Sequence, residues 1–370
     1  MYLTSKNIRF GYISLSNVSY ISETEHRSIY ARCPVKKGDL LLTKDGANTG
    51  NATINSLDEE FSLLSSVAVL RAKSDSSTNG FLLQTLLSPH GQSQMQSEMS
   101  GQAITRLTLE KIGALRFQFP PLSEQCKIAD ILGVWDNAIE KLDALIVAKD
   151  RRKKALMQQL LTGKKRFRAF GKKEWKKVRM NELLERTFRP IEWSAEMSLS
   201  LISIRRRCGG LFRRPELLGS EYKTQDLHDL KAGDFLVSKR QVAHGAWAMV
   251  TPEFEGGHVS KEYAIFTNTA PDKLHMPYFA WLAQTPRMIR LSRVASTGVH
   301  IEKLIFDPAV FLRESIRIPA TLEEQQHIAA ILDAADQELT LLRKQRDALE
   351  QQKRGLMQRL LTGKIRVKTP

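Results

Sequence analysis

Hydrophobic positions in residues 123–161 recur at a spacing typical of a long helix, with no proline in the segment. They fall alternately four and three residues apart, which places one narrow apolar seam along a helix, as in a coiled coil. The seam positions are Ile128, Leu132, Trp135, Ile139 and Leu142. We expect Ser123 to be the N-cap of this helix and Thr162-Gly163 to end it.

Residues 120–166 recur at 320–366 without a gap, and by our count about 20 of 47 positions are identical. The second seam consists of Ile328, Leu332, Leu339, Leu342 and Leu356. A period of 200 residues indicates a duplicated module. Because each helix has one seam and follows its own globular segment, we expect the two helices to pack antiparallel. About 38 helical residues span roughly 57 Å, so the pair would act as a spacer.

Short apolar and β-branched runs separated by turns predict strands in the two globular segments. The runs are Ala52–Ile54, Val67–Leu70, 115–119, Leu199–Ile204, Ala246–Val250, Ala264–Thr267 and 315–318. Gly38-Asp39 and Gly233-Asp234 each form a turn before a further strand. The sequence therefore predicts an α+β protein with two homologous β-rich domains and two long helices forming an antiparallel, pseudo-twofold coiled coil. The predicted boundaries are 1–118, 119–165, 166–318 and 319–370.

The first globular segment is shorter than the second. There are 58 residues from Trp175 to Gly233 but 37 before Gly38. We therefore expect the first domain to be shortened at its N-terminus by roughly 20 residues, with no counterpart of Glu174-Trp175-Lys176. The loss of an edge strand there would weaken the domain.

The formal charge of +16 favours a polyanionic partner, with double-stranded DNA first and acidic lipid a distant second. Polar side chains in the loops of both domains are of the kinds that pair with base edges or neutralise phosphates. The candidate DNA contacts are Lys6, Arg9, Lys44, Asn48, Arg106, Arg205, Arg206, Arg207, Arg213, Arg214, Lys239, Arg240, Gln241, His244, Arg293 and His300. Ordinary loop divergence and solvated charge are the alternatives. The basic run 149–154 also fits either phosphate contact or a solvated helix face.

No apolar run is long enough for a membrane span, and three distant cysteines fit neither a zinc site nor a disulfide framework. We therefore expect a reduced cytoplasmic protein that binds no membrane and no metal. The sequence contains no phosphate-binding G-x-x-x-x-G-K-[ST] loop, no H-E-x-x-H and no Asn-Pro-Pro-aromatic loop. We therefore expect a protein with no catalytic residues of its own.

With these motifs, the chain resembles the specificity subunits of type I restriction–modification enzymes. The resemblance rests on Pro120-Pro121-Leu122-Ser123-Glu124-Gln125 and Leu160-Leu161-Thr162-Gly163-Lys164, and on the matching residues of the second copy at 322–325 and 360–364. It also rests on 2–8 and 38–41, which look like part of the family's target-recognition domain.

The resemblance implies a non-catalytic subunit in which each recognition domain reads one half of a split, asymmetric DNA site. The helices would set the gap and dock two methyltransferase subunits, and a restriction subunit would translocate and cleave DNA. S-adenosylmethionine, ATP and Mg²⁺ would be used by those partners and not bound by this chain. Two alternatives stay open: a stand-alone DNA-bridging or regulatory protein, and a DNA methyltransferase or nuclease whose site has no recognisable motif.

Overall fold

Two compact units make up the chain in a computed structural model that describes residues 1–99, 105–171 and 173–368. Unit 1 comprises Met1–Ile146 and Leu341–Pro370, and unit 2 comprises Val147–Thr340. The boundary lies inside two helices of 39 residues, α5 (Leu122–Leu160) and α9 (Leu322–Leu360). Each unit therefore combines one globular domain with parts of both long helices. No helix in the described part of the chain is long and apolar enough to cross a membrane.

Unit 1 contains a small antiparallel sheet flanked by helices. Its remaining elements are β1 (Tyr2–Leu3), α1 (Glu23–Arg32), β2 (Leu40–Thr43), β3 (Ala52–Ile54), β4 (Ser62–Leu63), β5 (Val67–Leu70), α2 (Asn79–Leu87), α3 (Pro89–Glu98) and α4 (Leu109–Ala114). Among the described residues the sheet has the order β3-β2-β5, and β1 pairs in parallel with β4. The predicted strands Ala52–Ile54 and Val67–Leu70 are confirmed.

Unit 2 contains a larger version of the same sheet. Its remaining elements are β6 (Lys176–Arg179), β7 (Leu184–Thr187), β8 (Ser198–Leu199), β9 (Ile202–Ile204), β10 (Leu211–Arg213), β11 (Leu217–Leu218), β12 (Leu227–Asp229), β13 (Phe235–Ser238), β14 (Trp247–Met249), β15 (His258–Ser260), β16 (Tyr263–Asn268), α6 (Met276–Ala283), α7 (Pro286–Val294), β17 (Ser296–Thr297), β18 (Ile305–Phe306), α8 (Pro308–Arg313) and β19 (Ser315–Ile318). The main sheet has the order β14-β13-β16-β7, so β7 is an additional edge strand relative to unit 1. The α+β class is confirmed.

The central strands β2 and β13 are apolar up to their last residues, Thr43 and Ser238, because both faces of each strand are covered. In unit 1, Leu40 and Leu42 pack with Phe81 of α2, whereas Leu41 packs on the opposite face with Phe61. In unit 2, β13 divides in the same way between two apolar clusters. Continuous apolar runs of this kind are expected for strands buried on both sides.

The long helices run antiparallel within each unit, since residues later in α5 contact residues earlier in α9. In unit 1, Asp136 accepts a hydrogen bond from Lys353 and Asp143 accepts one from Arg346 at 3.2 Å. In unit 2, Lys153 Nζ lies 2.7 Å from Asp336 Oδ1, and Lys149 pairs with Glu338. Two lysines of the basic run 149–154 are therefore paired with acids of α9.

The repeated Glu-Gln pair at the start of each long helix fastens that helix to its surroundings. Gln325 has no exposed surface; its Oε1 accepts from the His275 backbone N–H at 2.9 Å, and its Nε2 donates to the Lys273 carbonyl at 2.8 Å. Gln125 makes the corresponding bonds to Thr78 and Ser76 in unit 1. The glutamine thus joins each long helix to the chain just before α2 in unit 1 and just before α6 in unit 2.

The neighbouring glutamate holds the segment that follows the end of the other long helix. Glu324 accepts two hydrogen bonds from Arg166 at 2.8 and 2.9 Å, and Glu124 is paired in the same way with Arg366. The hydrogen bonds from Arg366 hold the pKa of the Glu124 carboxyl below its ordinary value. The motif and its distant arginine are therefore two halves of one contact.

Three sequence expectations about the helices need correction. Helix α5 begins at Leu122, before the expected N-cap Ser123, because the backbone N–H groups of Glu124 and Gln125 both bond to the Pro121 carbonyl. The seam residues Ile128 and Leu132 pack into the core of the unit 1 domain as well as against α9. Finally, the predicted strand at 115–119 is absent; 315–318 is strand β19, which pairs with β6, whereas no described strand of unit 1 pairs with 115–119.

The expected ends of the long helices are confirmed. Gly163 and Gly363 both have φ near +70°, a left-handed conformation that favours glycine. The backbone N–H groups of Lys165 and Ile365 then bond back to the carbonyls of Gln159 and Arg359. The N–H groups of Gly163 and Gly363 bond to the carbonyls of Leu160 and Leu360, as in the Schellman pattern that ends a helix.

Candidate nucleic-acid interface

The loop between β9 and β10 in unit 2 carries the arginine cluster and is fixed by backbone hydrogen bonds. Arg207 and Cys208 adopt left-handed φ values of 59° and 54°. Their N–H groups donate to the carbonyls of His244 and Gly245 at 2.7 and 2.8 Å. Non-glycine residues rarely adopt this conformation, so the two bonds stabilise a strained corner. The arginine loop is therefore held against the short helix that follows β13.

These two loops and α7 surround a cavity of about 410 Å³. Four of the predicted DNA contacts line it, namely Arg206, Arg207, His244 and Arg293. Arg293 is fixed by two hydrogen bonds of 3.3 Å to the Ala243 carbonyl. Burial raises the pKa of the Cys208 thiol, which keeps it uncharged beside the arginines. The structure thus gathers residues that are distant in sequence into one basic surface.

Glu302 lies between Arg206 and His244. Its carboxylate is 3.3 Å from Arg206 and 3.0 Å from His244 Nε2. Glu302 is 57% exposed, so the pairs contribute well under about 1 kcal/mol each to stability. A weakly held acid of this kind is readily displaced when another anion reaches the arginines.

Unit 1 has a similar arrangement after the corresponding strand β2. Asp45 lies between Lys44 and Arg106, with N–O distances of 2.9 and 3.3 Å. Asn48 Nδ2 donates to the Ser5 carbonyl at 3.2 Å, next to the exposed Lys6. Arg9 lies farther along the same segment. In both units, an acid lies between two basic side chains, at least one of which belongs to the loop after the central strand.

Several predicted contacts instead hold parts of their own domain together. Arg205 donates to the Leu211 carbonyl at 3.1 Å, and its guanidinium lies 4.5 Å from the centre of the Phe212 ring. Arg213 bonds to Ser200 and to the Glu253 carbonyl, and Arg214 lies over the ring of Tyr222 at 5.9 Å. These three arginines do not line the cavity, whereas Arg206 and Arg207 do.

The remaining candidates lie around the end of β13. Lys239 donates to the Lys261 carbonyl at 2.5 Å, and burial lowers its pKa. Arg240 pairs with Glu262 at 2.5 Å, and Gln241 precedes the short helix of His244. His300 is exposed beside the short helix that contains Glu302. The two acids, Glu302 and Asp45, are what the sequence analysis missed, because an acid in a basic loop has no distinctive spacing.

Comparisons with known proteins agree with this description. Residues 8–147 match the family described as the type I restriction modification DNA specificity domain. Two specificity subunits from Methanocaldococcus jannaschii are similar over most of their length. The type I restriction enzyme MjaVIII subunit is 26% identical over 357 residues, covering 90% of this chain and 80% of that protein. The putative MjaX subunit is 25% identical over 383 residues, covering 96% and 85%.

The fold has a counterpart among solved structures. The crystal structure of the type I restriction–modification system S subunit from M. genitalium aligns with a TM-score of 0.58 at 13% identity, covering 97% of this chain and 88% of that one. This likeness concerns the fold. The sequence matches bear out the resemblance: over most of its length the chain is similar to specificity subunits of type I restriction–modification enzymes, which are non-catalytic DNA-recognition subunits.

Proposed function

We propose that this chain is the specificity subunit of a type I restriction–modification complex and reads a bipartite, asymmetric DNA site. Each of the two domains would read one half of the site. The observation that carries the proposal is that each unit presents a basic loop region after its central strand, which is β2 in unit 1 and β13 in unit 2. The regions share a framework but differ in side chains, as two readers of different sequences require.

The paired helices would set the gap between the half-sites and dock two adenine-methyltransferase subunits. The restriction subunits would join that assembly. We propose that S-adenosylmethionine, ATP and Mg²⁺ are used by those partners and that this chain binds none of them. The gap-free repeat supports the spacer role, because two copies of equal length suit a pseudo-twofold arrangement.

Mapping of methylated DNA tests this function. The chain would be co-expressed with its modification subunit in cells that lack adenine methylation, and methylated adenines would then be mapped. We expect a motif of two different halves separated by a fixed gap. Methylation at inverted copies of a single half would contradict asymmetric reading by one chain. An unmethylated genome despite a purified complex would contradict the function itself.

Glu302 allows a separate test of the basic cavity. Replacing it in a Glu302→Gln variant removes the anion that competes with phosphate for Arg206 and His244. We expect about two- to fivefold tighter binding to duplexes of any sequence at low salt, the equivalent of the usual strength of an exposed ion pair. Fluorescence anisotropy across a salt series measures this.

The matched control is Glu255→Gln, which removes the same charge from another exposed position of unit 2. We expect it to bind nearly as the native chain does. Equal gains in the two variants would mean that total charge, and not the place of Glu302, controls affinity.

A further inference from the structure

The turn that follows Ile8 in unit 1 presents two aromatic side chains to solvent. Phe10 is 51% exposed and Tyr12 is 58% exposed. Neither ring belongs to an apolar cluster among the described residues of unit 1. Single exposed aromatic residues are common on protein surfaces. Two of them on one tight turn form an apolar patch, which favours a binding partner.

Backbone hydrogen bonds hold this turn in one conformation. The Arg9 N–H donates to the Tyr12 carbonyl at 2.9 Å, which places Phe10 at the tip of the turn. The Gly11 N–H donates to the Ala52 carbonyl at 2.9 Å and so fixes the turn to the first residue of β3. Because the support is already ordered, little conformational entropy is lost when the rings meet a partner.

The corresponding turn in unit 2 is the arginine loop of the candidate interface. Ile204 pairs there with Leu211, as Ile8 forms an antiparallel bridge with Ile13 in unit 1. The Arg207 N–H bonds to the loop just before β14, and β14 and β3 are each a neighbour of the central strand. The aromatic turn therefore occupies in unit 1 the position that the arginines occupy in unit 2.

Basic side chains flank the two rings. Lys6 is exposed and Arg9 is half-buried on the same segment. Asn48, in the loop after β2, donates to the Ser5 carbonyl at 3.2 Å, so the segment lies against the loop that begins with Lys44. A basic segment interleaved with exposed aromatic rings fits a polyanion that also has flat apolar faces. Nucleic acid has both, in its phosphates and its bases.

We propose that Phe10 enters the DNA as a wedge and parts two stacked base pairs in the half-site that unit 1 reads. Tyr12 would cover the edge of the opened step. This inference rests on the proposed function and adds deformation of the DNA to it. Apolar wedges of this kind kink the double helix. Part of the specificity of unit 1 would then come from the energy of opening the step, which is lowest at flexible pyrimidine–purine steps.

The fluorescence of 2-aminopurine tests the wedge, because this adenine analogue fluoresces more strongly when neighbouring bases no longer stack on it. Duplexes would contain the split motif found by methylation mapping, with the analogue at an adenine of one half or the other. The full chain is used without modification subunits, since an enzyme that flips its target base out of the helix would raise the same signal. Fluorescence anisotropy measures binding in the same samples.

We expect the fluorescence to rise on binding in one half of the motif only, because unit 2 has arginines at the place of the rings. Phe10→Ala should abolish the rise and weaken binding about tenfold, the usual effect of losing one aromatic stack on a base. Phe10→Leu keeps an apolar wedge and should retain most of the rise. The side chain is exposed, so folding should be preserved in both variants.

Tyr20→Ala is the matched control, because Tyr20 is another exposed aromatic residue of unit 1 and lies outside the turn. It should bind and fluoresce as the native chain does. Binding with no rise in either half, or a rise that persists in Phe10→Ala, would overturn the wedge and leave the proposed function intact. Equal loss of the rise in Phe10→Ala and Tyr20→Ala would also overturn it. A native chain that binds no duplex would contradict the proposed function together with the wedge.

Discussion

Replacing Gln325 by leucine is expected to lower the free energy of unfolding of unit 2 by about 2–4 kcal/mol. Leucine is close to glutamine in size, so the core remains filled. The change removes hydrogen bonds to the His275 N–H, to the Lys273 carbonyl and, at 3.3 Å, to the Pro319 carbonyl. Gln325 is fully buried, so water cannot replace those bonds without opening the structure.

Gln326→Leu is the control, because Gln326 is the adjacent residue and is exposed. Urea denaturation followed by tryptophan fluorescence suits this comparison, since four of the five tryptophans lie in unit 2. We expect an earlier unfolding midpoint for Gln325→Leu and a nearly native one for Gln326→Leu. Equal midpoints would mean that the repeated glutamine does not join helix and domain.

The repeated helices could be predicted from sequence because their information is local. Apolar spacing identifies a helix, and a gap-free repeat identifies its copy. The central strands were predictable for a similar reason, since Gly38 and Gly233 each precede a short apolar run. The role of the Glu-Gln pair could not be predicted, because Arg366 and Arg166, the partners of its two glutamates, are distant along the chain.

The strand predicted at 115–119 failed for a related reason. Its residues resemble those of β19, but a strand requires a partner, and β19 has β6. In unit 1, the side chain of Gln94 instead makes hydrogen bonds to the backbone N–H and carbonyl of Arg116. A pattern of alternating residues thus predicts the capacity to form a strand, while the neighbouring chain decides whether the strand forms.

The arginine cluster at the candidate interface also depends on surroundings that the local sequence does not reveal. Charge alone made Arg205, Arg207 and Arg213 equivalent, but their surroundings differ. Arg205 and Arg213 lie against aromatic rings and bond to backbone carbonyls of their own domain. Arg207 is exposed beside the cavity. The φ values and backbone bonds that create this difference depend on the loop of His244, which has no signal in the sequence around the arginines.

A chain with Arg206→Ala and Arg207→Ala should bind duplex DNA of any sequence at least about 100-fold more weakly at low salt, because each charge-assisted bond to phosphate contributes about 1.5–3 kcal/mol. The slope of log K against log salt should become shallower by about 1.8, or about 0.9 for each lost phosphate contact. Relative preference among sequences should persist, since phosphate contacts carry no base identity.

The matched control removes the same number of charges through Arg213→Ala and Arg214→Ala. Those side chains lie over Phe254 and Tyr222, so their loss should affect the stability of unit 2 more than the salt slope. DNA binding by both double variants is measured by fluorescence anisotropy from low to high salt, and urea unfolding checks that each variant is folded. An unchanged slope for the first double would remove Arg206 and Arg207 from the phosphate contacts. Equal slopes for the two doubles would show that the cavity is not a distinct binding surface, because only overall charge would then govern affinity.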